Sequence, residues 1–270
     1  MIAANEVEAY YESIAPFYDL ELSDRHDVRF WIDLVRQLRP RQLLEVGAGT
    51  GRITIPLARL VAHCGGQVCG LDLSAAMLQH ARAKLARSAQ PWRDCLRFAQ
   101  GDLCTFDLGQ RFDLVIAADD PFAHLVDDGD AQRAFANVAR HLNGGGVFAV
   151  EMPLSRGQDI ADRRSSRCSV QGERTIVQAD RRLDVDMVQS FTPGRKVSRV
   201  VFRYQLTDGG GHTLRRAECS FDGRVRRPDE LEALFQGAGL PVTTRWGGFD
   251  RSPFDPTRSG EMIFVGIKPS

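Results

Sequence analysis

The chain has 270 residues, 35 Lys and Arg against 35 Asp and Glu, 43% hydrophobic and 26% charged residues. That length supports one large or two small domains with a full core, and a net charge of zero lacks the basic excess of a protein that lives on DNA or anionic lipid. No apolar run approaches the ~20 residues that span a bilayer, and the opening MIAANEVEAYYES carries acids where an export signal needs a basic and then an apolar stretch, so a cytoplasmic protein with no membrane partner is expected. Cys64, Cys69, Cys95, Cys104, Cys168 and Cys219 are scattered without a C-x-x-C pair or a zinc spacing, which predicts reduced thiols and no metal site.

The first 40 residues read as helical. Asn5–Phe17 carries a Tyr, Ile and Phe face that Pro16 is expected to end, and Asp24 can cap a second helix whose Phe30, Trp31, Leu34, Val35 and Leu38 recur at helical spacing up to Pro40. An alternation of short apolar strands and helices follows: strand Leu43–Val46, helix Arg52–Val61, strand Val68–Leu71, helix Ala75–Arg87 capped by Ser74, strand Leu96–Ala99, strand Phe112–Ala117, helix Ala131–His141, and strand Val147–Met152 after the Gly144-Gly145-Gly146 turn. Strands that are apolar without alternation are covered on both faces, which predicts a parallel, doubly wound α/β sheet. From Ser155 to Arg227 the pattern changes to β-like runs, Arg174–Ala179, Leu183–Phe191, Val197–Leu206 and Thr213–Asp222, predicting an inserted antiparallel β-sheet after the fifth strand. Helix Asp229–Gln236 and strands Val242–Trp246 and Glu261–Ile267 resume the first pattern. The expected organisation is a helical lid over 1–40, an α/β core over 41–153, the inserted sheet over 154–227, and a segment over 228–270 that completes the core. Charge divides the same way, with a net −5 over 1–153, +7 over 154–227 and −2 over 228–270.

The turn Glu45-Val46-Gly47-Ala48-Gly49-Thr50-Gly51-Arg52 joins a strand to a helix through three glycines, a geometry that brings backbone and helix N–H groups close to a ligand. Its spacing is G-x-G-x-G, which disfavours a dinucleotide site, and the Lys of a phosphate-binding P-loop is absent. Asp72 ends the next strand, where a carboxylate can accept from both hydroxyls of a ribose; the alternative, a helix cap, is weakened because Ser74 already fills that role. Asp102 follows the third strand in Gln100-Gly101-Asp102-Leu103. All three features fall at strand C-terminal ends, where α/β sheets bind ligands.

Together with F-D-L-V-I-A-A-D, L-N-G-G-G-V-F-A-V-E and P-D-E-L-E-A-L-F-Q-G-A-G-L, these motifs resemble the class I S-adenosylmethionine-dependent methyltransferases over roughly 40–152 and 228–268. The resemblance implies a seven-stranded Rossmann-like sheet with its last strand antiparallel. It also implies S-adenosylmethionine as cofactor and S-adenosylhomocysteine as product. By the same resemblance Glu45 and the backbone of Gly47, Gly49 and Gly51 hold the methionine end, Asp72 the ribose, and Met77, Asp102 and Leu103 the adenine. Arg52 either reaches the cofactor carboxylate or ties the lid to the core. A cofactor with a sulfonium and no phosphate suits a site lined by acids.

Asp119-Asp120-Pro121-Phe122-Ala123-His124-Leu125 and Tyr10-Tyr11-Glu12-Ser13-Ile14-Ala15-Pro16-Phe17-Tyr18-Asp19 resemble the acceptor-side motifs of small-molecule N-methyltransferases acting on glycine and amino sugars. Asp119-Asp120-Pro121 departs from the Asn or Ser usual there. The expected activity is in-line methyl transfer to a small-molecule acceptor, an amine nitrogen of a natural product, amino sugar or amino acid, with O- or C-methylation as the alternative. Positioning supplies up to about 7–11 kcal/mol of such a reaction. His124 is the candidate base, Asp120 the candidate orienter, and Tyr18 the candidate ring over the sulfonium, worth about 0.5–2 kcal/mol. Each has a bland counterpart: a packed histidine, a turn residue, a helix-face aromatic. Trp246–Asp255 is either part of the substrate wall or a plain connection. Methylation of RNA or protein would use the arginines of the inserted sheet, among them Arg163, Arg164, Arg181, Arg182, Arg215, Arg216, Arg226 and Arg227. They are interleaved with acids, which favours a solvated or homodimer face over nucleic acid. A cofactor-binding protein without catalysis is the remaining class.

Overall fold

The computed structural model describes residues 4–23, 27–88, 91–155 and 167–270. Asp24 and Arg163 and Arg164 therefore lie outside the described residues. The chain forms two compact units, one drawn from Met1–Arg25, Ala123–Val126 and Ser155–Val225, the other from His26–Phe122, Asp127–Leu154 and Arg226–Ser270.

The larger unit is an α/β body. Its elements are α2 (Asp27–Leu38), β1 (Gln42–Val46), α3 (Thr54–His63), β2 (Gln67–Asp72), α4 (Ala75–Ala86), β3 (Leu96–Gln100), β4 (Phe112–Ala117), α5 (Asp128–Arg140), β5 (Leu142–Pro153), α6 (Pro228–Gly237), β10 (Val242–Trp246) and β11 (Glu261–Ile267). The seven strands lie in the order β10-β11-β5-β4-β1-β2-β3. The pairs among β1 to β5 are parallel, and β11 runs antiparallel to both β5 and β10. Leu43, Leu114, Ile116, Ala149 and Ile263 face Trp31, Leu34 and Leu57 of α2 and α3. On the opposite face Phe148 meets Phe135 of α5 and Phe235 of α6 with centroids 5.3 and 5.4 Å away. Both faces are covered, which is why the strands read as unbroken apolar runs. The strand order reverses direction between β1 and β4, and such a switch point opens a crevice at the strand C-termini.

The smaller unit packs α1 (Ala4–Glu21) on a four-stranded antiparallel sheet of β6 (Cys168–Gln178), β7 (Arg181–Phe191), β8 (Val197–Asp208) and β9 (Thr213–Arg224), in the order β6-β7-β8-β9. Leu183, Val185, Phe191, Val200 and Tyr204 are buried on one face. Phe17 stacks on Tyr204 at 5.1 Å. The other face carries the cross-strand pairs Arg199–Asp222 at 3.0 Å and Arg203–Glu218 at 2.7 Å, with Arg182 on Asp184 of its own strand. Exposed pairs of this kind are worth about 0–1 kcal/mol each, so they interleave the sheet's arginines with acid more than they stabilise it.

Three expectations are corrected. Pro16 does not end α1, which runs on to Glu21. Its ring sits on the exposed side while Ile14, Ala15 and Phe17 are buried, so packing on both sides of the proline outweighs the missing backbone bond. Gly144-Gly145-Gly146 is not a turn before the fifth strand but lies within it, where Gly145 donates to the Lys268 carbonyl and Lys268 donates back to Gly146. The helix after the glycine turn starts at Thr54 rather than Arg52. All six cysteines are free, and no described helix is long and apolar enough to cross a membrane.

Candidate functional site

In the larger unit two loops flank the switch point. The first follows β1. Gly47, Gly49 and Gly51 have φ of 75°, 51° and 74°, in the left-handed region that side chains avoid. Gly47 and Ala48 donate their N–H groups to the Leu71 carbonyl at 2.8 and 2.9 Å, tying the turn to the end of β2. A Cβ on Gly47 would lie 2.5 Å from Cβ of Pro121, in the loop after β4. Gly47→Ala should therefore lower stability by about 2–4 kcal/mol, from the positive φ and the clash together; an unchanged urea midpoint would remove this contact from the account.

Asp72 stands beside that turn. Its Oδ2 accepts from Gly49 N–H at 2.7 Å and its Oδ1 from Ser74 N–H at 2.8 Å. Burial raises its pKa while these backbone donors oppose the rise. A carboxylate offers about four lone-pair sites, more than these donors fill, which leaves acceptor capacity for a hydroxyl. Ser74 caps α4 as expected, its Oγ accepting from Met77 N–H at 3.2 Å. Met77 itself is corrected: its side chain is 0% exposed and has no surface to give an adenine. The half-exposed Leu73 is the apolar side chain at that strand end, its carbonyl held by Gln100 Nε2 at 3.0 Å. Asp102 and Leu103 are half-exposed; Asp102 Oδ1 accepts from Cys104 N–H at 2.6 Å, and the Leu103 carbonyl accepts from Asn137 Nδ2 at 3.1 Å.

Glu45 is buried on β1 and accepts from Thr54 Oγ1. Burial pushes its carboxyl up to about 8, against the Thr54 bond and the Arg52 charge. It is neutral through most of the physiological range and ionises more readily when a cation comes near. The Arg52 guanidinium makes a bidentate pair with Asp27, the first residue of α2, at 2.6 and 2.7 Å, and so ties that helix to the glycine turn. Sequence alone gives Asp27 no signal, because its partner lies 25 residues away.

The loop after β4 is strained. Asp119 and Asp120 both have positive φ, 61° and 45°, and Asp120 precedes a proline, which disfavours such helical conformations further. Glu151 of β5, 0% exposed, secures them: its Oε2 accepts from Asp119 N–H at 2.6 Å and its carbonyl from Asp120 N–H at 3.2 Å. Sequence reasoning missed Glu151, although one acid inside the apolar run Val147–Met152 was a visible signal. Arg226, also buried, donates to the Phe122 carbonyl at 2.8 Å. The Trp246–Asp255 loop packs on α2: Arg251 donates to Gln37 Oε1 at 2.9 Å and lies over the rings of Phe30 and Trp246.

In the smaller unit His124 is caged by aromatic rings. Its centroid lies 5.2 Å from Tyr11, 5.9 Å from Tyr10 and 4.7 Å from Phe221. Its Nε2 is 2.8 Å from Tyr11 Oη. Burial lowers its pKa to about 4, so the ring is neutral at pH 7. That corrects the expectation of a base with an ordinary histidine pKa. Tyr18 is a half-buried residue of α1.

The residues of the larger unit fit the cofactor that the motifs imply. The glycines keep the turn free of side chains, Glu45 and Asp72 are the acids of the two strands it joins, and Arg52 beside it pairs with Asp27. A cationic ligand with a diol and no phosphate suits that set; a nucleotide phosphate does not.

Comparison with known proteins agrees. Residues 43–146 match the model of a methyltransferase domain. The chain is 29% identical over 237 residues to the dTDP-3-amino-3,4,6-trideoxy-alpha-D-glucopyranose N,N-dimethyltransferase of Streptomyces venezuelae, covering 87% of each. It is 30% identical over 241 residues to the dTDP-4-amino-2,3,4,6-tetradeoxy-D-glucose N,N-dimethyltransferase of Saccharopolyspora spinosa, covering 88% of this chain and 83% of that one. The fold superposes on the CcbJ methyltransferase from Streptomyces caelestis with a TM-score of 0.73 at 24% identity, over 97% of this chain and 98% of that one.

Proposed function

Since the chain belongs to the S-adenosylmethionine-dependent methyltransferases and takes S-adenosylmethionine as its methyl donor, we propose that its acceptor is the amine nitrogen of a small molecule, an amino sugar or an amino-sugar-bearing natural product. The observation that carries this reading is the length of the match to the two amino-sugar N,N-dimethyltransferases, which runs well beyond the methyltransferase domain into the antiparallel sheet.

When bound, the cofactor supplies an electrophilic methyl group on a positively charged sulfur. The chain's own part is positioning and charge. We assign Asp72 to the ribose hydroxyls, the Gly47–Gly51 backbone and Glu45 to the amino-acid end, and Asp102 and Leu103 to the base. Asp72 places negative charge near a cation, and Glu45, neutral on its own, joins it when the cation's approach favours its ionisation. Glu151 keeps the Asp119-Asp120-Pro121 loop in its strained form, which fixes where Asp120 is held. His124 is assigned to the acceptor, and Tyr18 to the sulfonium as the ring laid over it. With a pKa of about 4, His124 accepts a hydrogen bond from an amine N–H and aims the nitrogen lone pair; stoichiometric removal of a proton from an ammonium ion is far uphill for it. Water takes that proton before the amine binds. The strict assignment of His124 as a base therefore gives way to an orienting role.

A screen of amino sugars, amino acids, secondary amines and phenols, read as S-adenosylhomocysteine formation and product mass, tests the proposal. The expected result is mono- or dimethylation of an amino sugar nitrogen. Turnover confined to phenols or carbon acids, or to RNA or protein added as further arms, would overturn it. Cytoplasmic location and a homodimer through the antiparallel sheet are part of the same proposal, and light scattering of the purified chain checks the second.

A further inference from the structure

The contact between Tyr11 and His124 has a chemical consequence that depends on the amine reading above. Tyr11 Oη lies 2.8 Å from Nε2, and the two rings meet edge to face at 70°. Tyr10 and Phe221 close two further sides, so the imidazole has little freedom to turn. Its other nitrogen, Nδ1, is buried and makes no hydrogen bond among the described residues. Buried polar atoms are nearly always satisfied, and one that is left open where a ring is held this firmly points to a ligand group.

The two tautomers differ in what Nδ1 can do. If Tyr11 donates to Nε2, the proton sits on Nδ1, and His124 presents an N–H that repels an amine N–H. If Nε2–H donates to the Tyr11 oxygen, Nδ1 carries a lone pair and receives an amine N–H. A hydroxyl serves in either arrangement, so the acceptor decides which is useful. We propose that Tyr11 is a positioning residue that accepts the Nε2 proton of His124, holding the tautomer whose Nδ1 lone pair receives the N–H of the acceptor amine.

During transfer the acceptor nitrogen uses its lone pair to form the new N–CH3 bond, and the C–S bond breaks with its electrons moving to sulfur. The N–H bonded to Nδ1 stays on the nitrogen, which becomes the ammonium, and is lost to water on release. Nothing is oxidised or reduced. Tyr11 touches neither reactant in this scheme and acts only through His124.

The test uses the whole chain labelled with 15N-histidine. Two-bond 15N–1H correlation spectra at pH 7 report the tautomer of His124 directly. The spin system is assigned by its loss in His124→Asn. The wild type should show a protonated Nε2 and a bare Nδ1. Tyr11→Phe keeps the ring and removes the hydroxyl; it should give a tautomer mixture, at least a tenfold lower kcat with an amino sugar that the wild type methylates, and unchanged S-adenosylmethionine affinity by calorimetry. Tyr11→His, which restores a hydrogen-bonding edge, should recover part of the loss. A wild-type ring protonated on Nδ1, or a Tyr11→Phe variant with unchanged tautomer and kcat, would overturn the assignment. If no amine is turned over but the wild type has the bare Nδ1, the amine reading fails while the tautomer assignment stands.

Discussion

Replacing Arg52 with Ala should destabilise the parallel-sheet unit by about 3–5 kcal/mol, because it takes a bidentate guanidinium away from a carboxylate with no exposed surface. Asp27 is 0% and Arg52 14% exposed at the side chain. Taking both charges out of water costs several kcal/mol per ion, and the pair offsets that only through its two short parallel bonds. The size of the effect therefore measures the buried charge of Asp27 with its guanidinium removed more than the net worth of the bridge. A double variant, Arg52→Met with Asp27→Leu, should recover most of the loss and can equal the wild type. Urea denaturation of the single and double variants decides it. An Arg52→Ala cost below about 1 kcal/mol would mean that water or another group satisfies Asp27. A further variant separates structure from cofactor binding: Asp27→Asn weakens the tie to α2 and leaves the glycine turn and Asp72 unaltered, so stability should fall while S-adenosylmethionine affinity holds.

The sequence carried the parallel unit almost entirely, because its signals are local. Leu43–Val46 and Phe112–Ala117 are apolar on both faces, Ser74 caps a helix, and glycines sit where backbone must turn with positive φ. The antiparallel sheet was legible as four β-like runs, though each observed strand is longer, since β7, β8 and β9 keep pairing through the polar residues at their ends, as between Arg181 and Asp208. The failures share a cause. Pro16 and the glycines of β5 obey their local preference only where nothing stronger acts, and packing on Phe17 or pairing with Lys268 overrides it. At the site, the sequence signal is local where one residue stands alone at a strand end, as with Asp72, whose carboxylate accepts from Gly49 and Ser74 N–H. It is incomplete where function depends on pairs distant in the chain. Arg52 with Asp27, Glu151 with Asp119, and Tyr11 with His124 are separated by 25, 32 and 113 residues. Nothing in one sequence announces such partners. The lowered pKa of His124 is hidden for the same reason, because it comes from burial among rings supplied by other segments.

Asp72→Ala should weaken S-adenosylmethionine binding by more than 100-fold, the second large effect. Two charge-assisted hydrogen bonds from a diol are worth about 1.5–3 kcal/mol each, and 1.4 kcal/mol is a factor of ten in affinity. The substitution also removes the acceptor of Gly49 and Ser74 N–H, so a lower affinity alone does not isolate the ribose. An analogue of S-adenosylhomocysteine lacking both ribose hydroxyls supplies the missing arm. The wild type should prefer the parent over the analogue by roughly the same factor that separates it from Asp72→Ala, and the variant should hardly distinguish them. Asp72→Asn belongs between the two: its amide oxygen serves one backbone donor, while its NH2 meets the other donor head-on. If calorimetry finds the analogue and the parent equally weakened by Asp72→Ala, the carboxylate works only as the brace of the glycine turn. The hydroxyls must then find their partners elsewhere along the C-terminal ends of the strands.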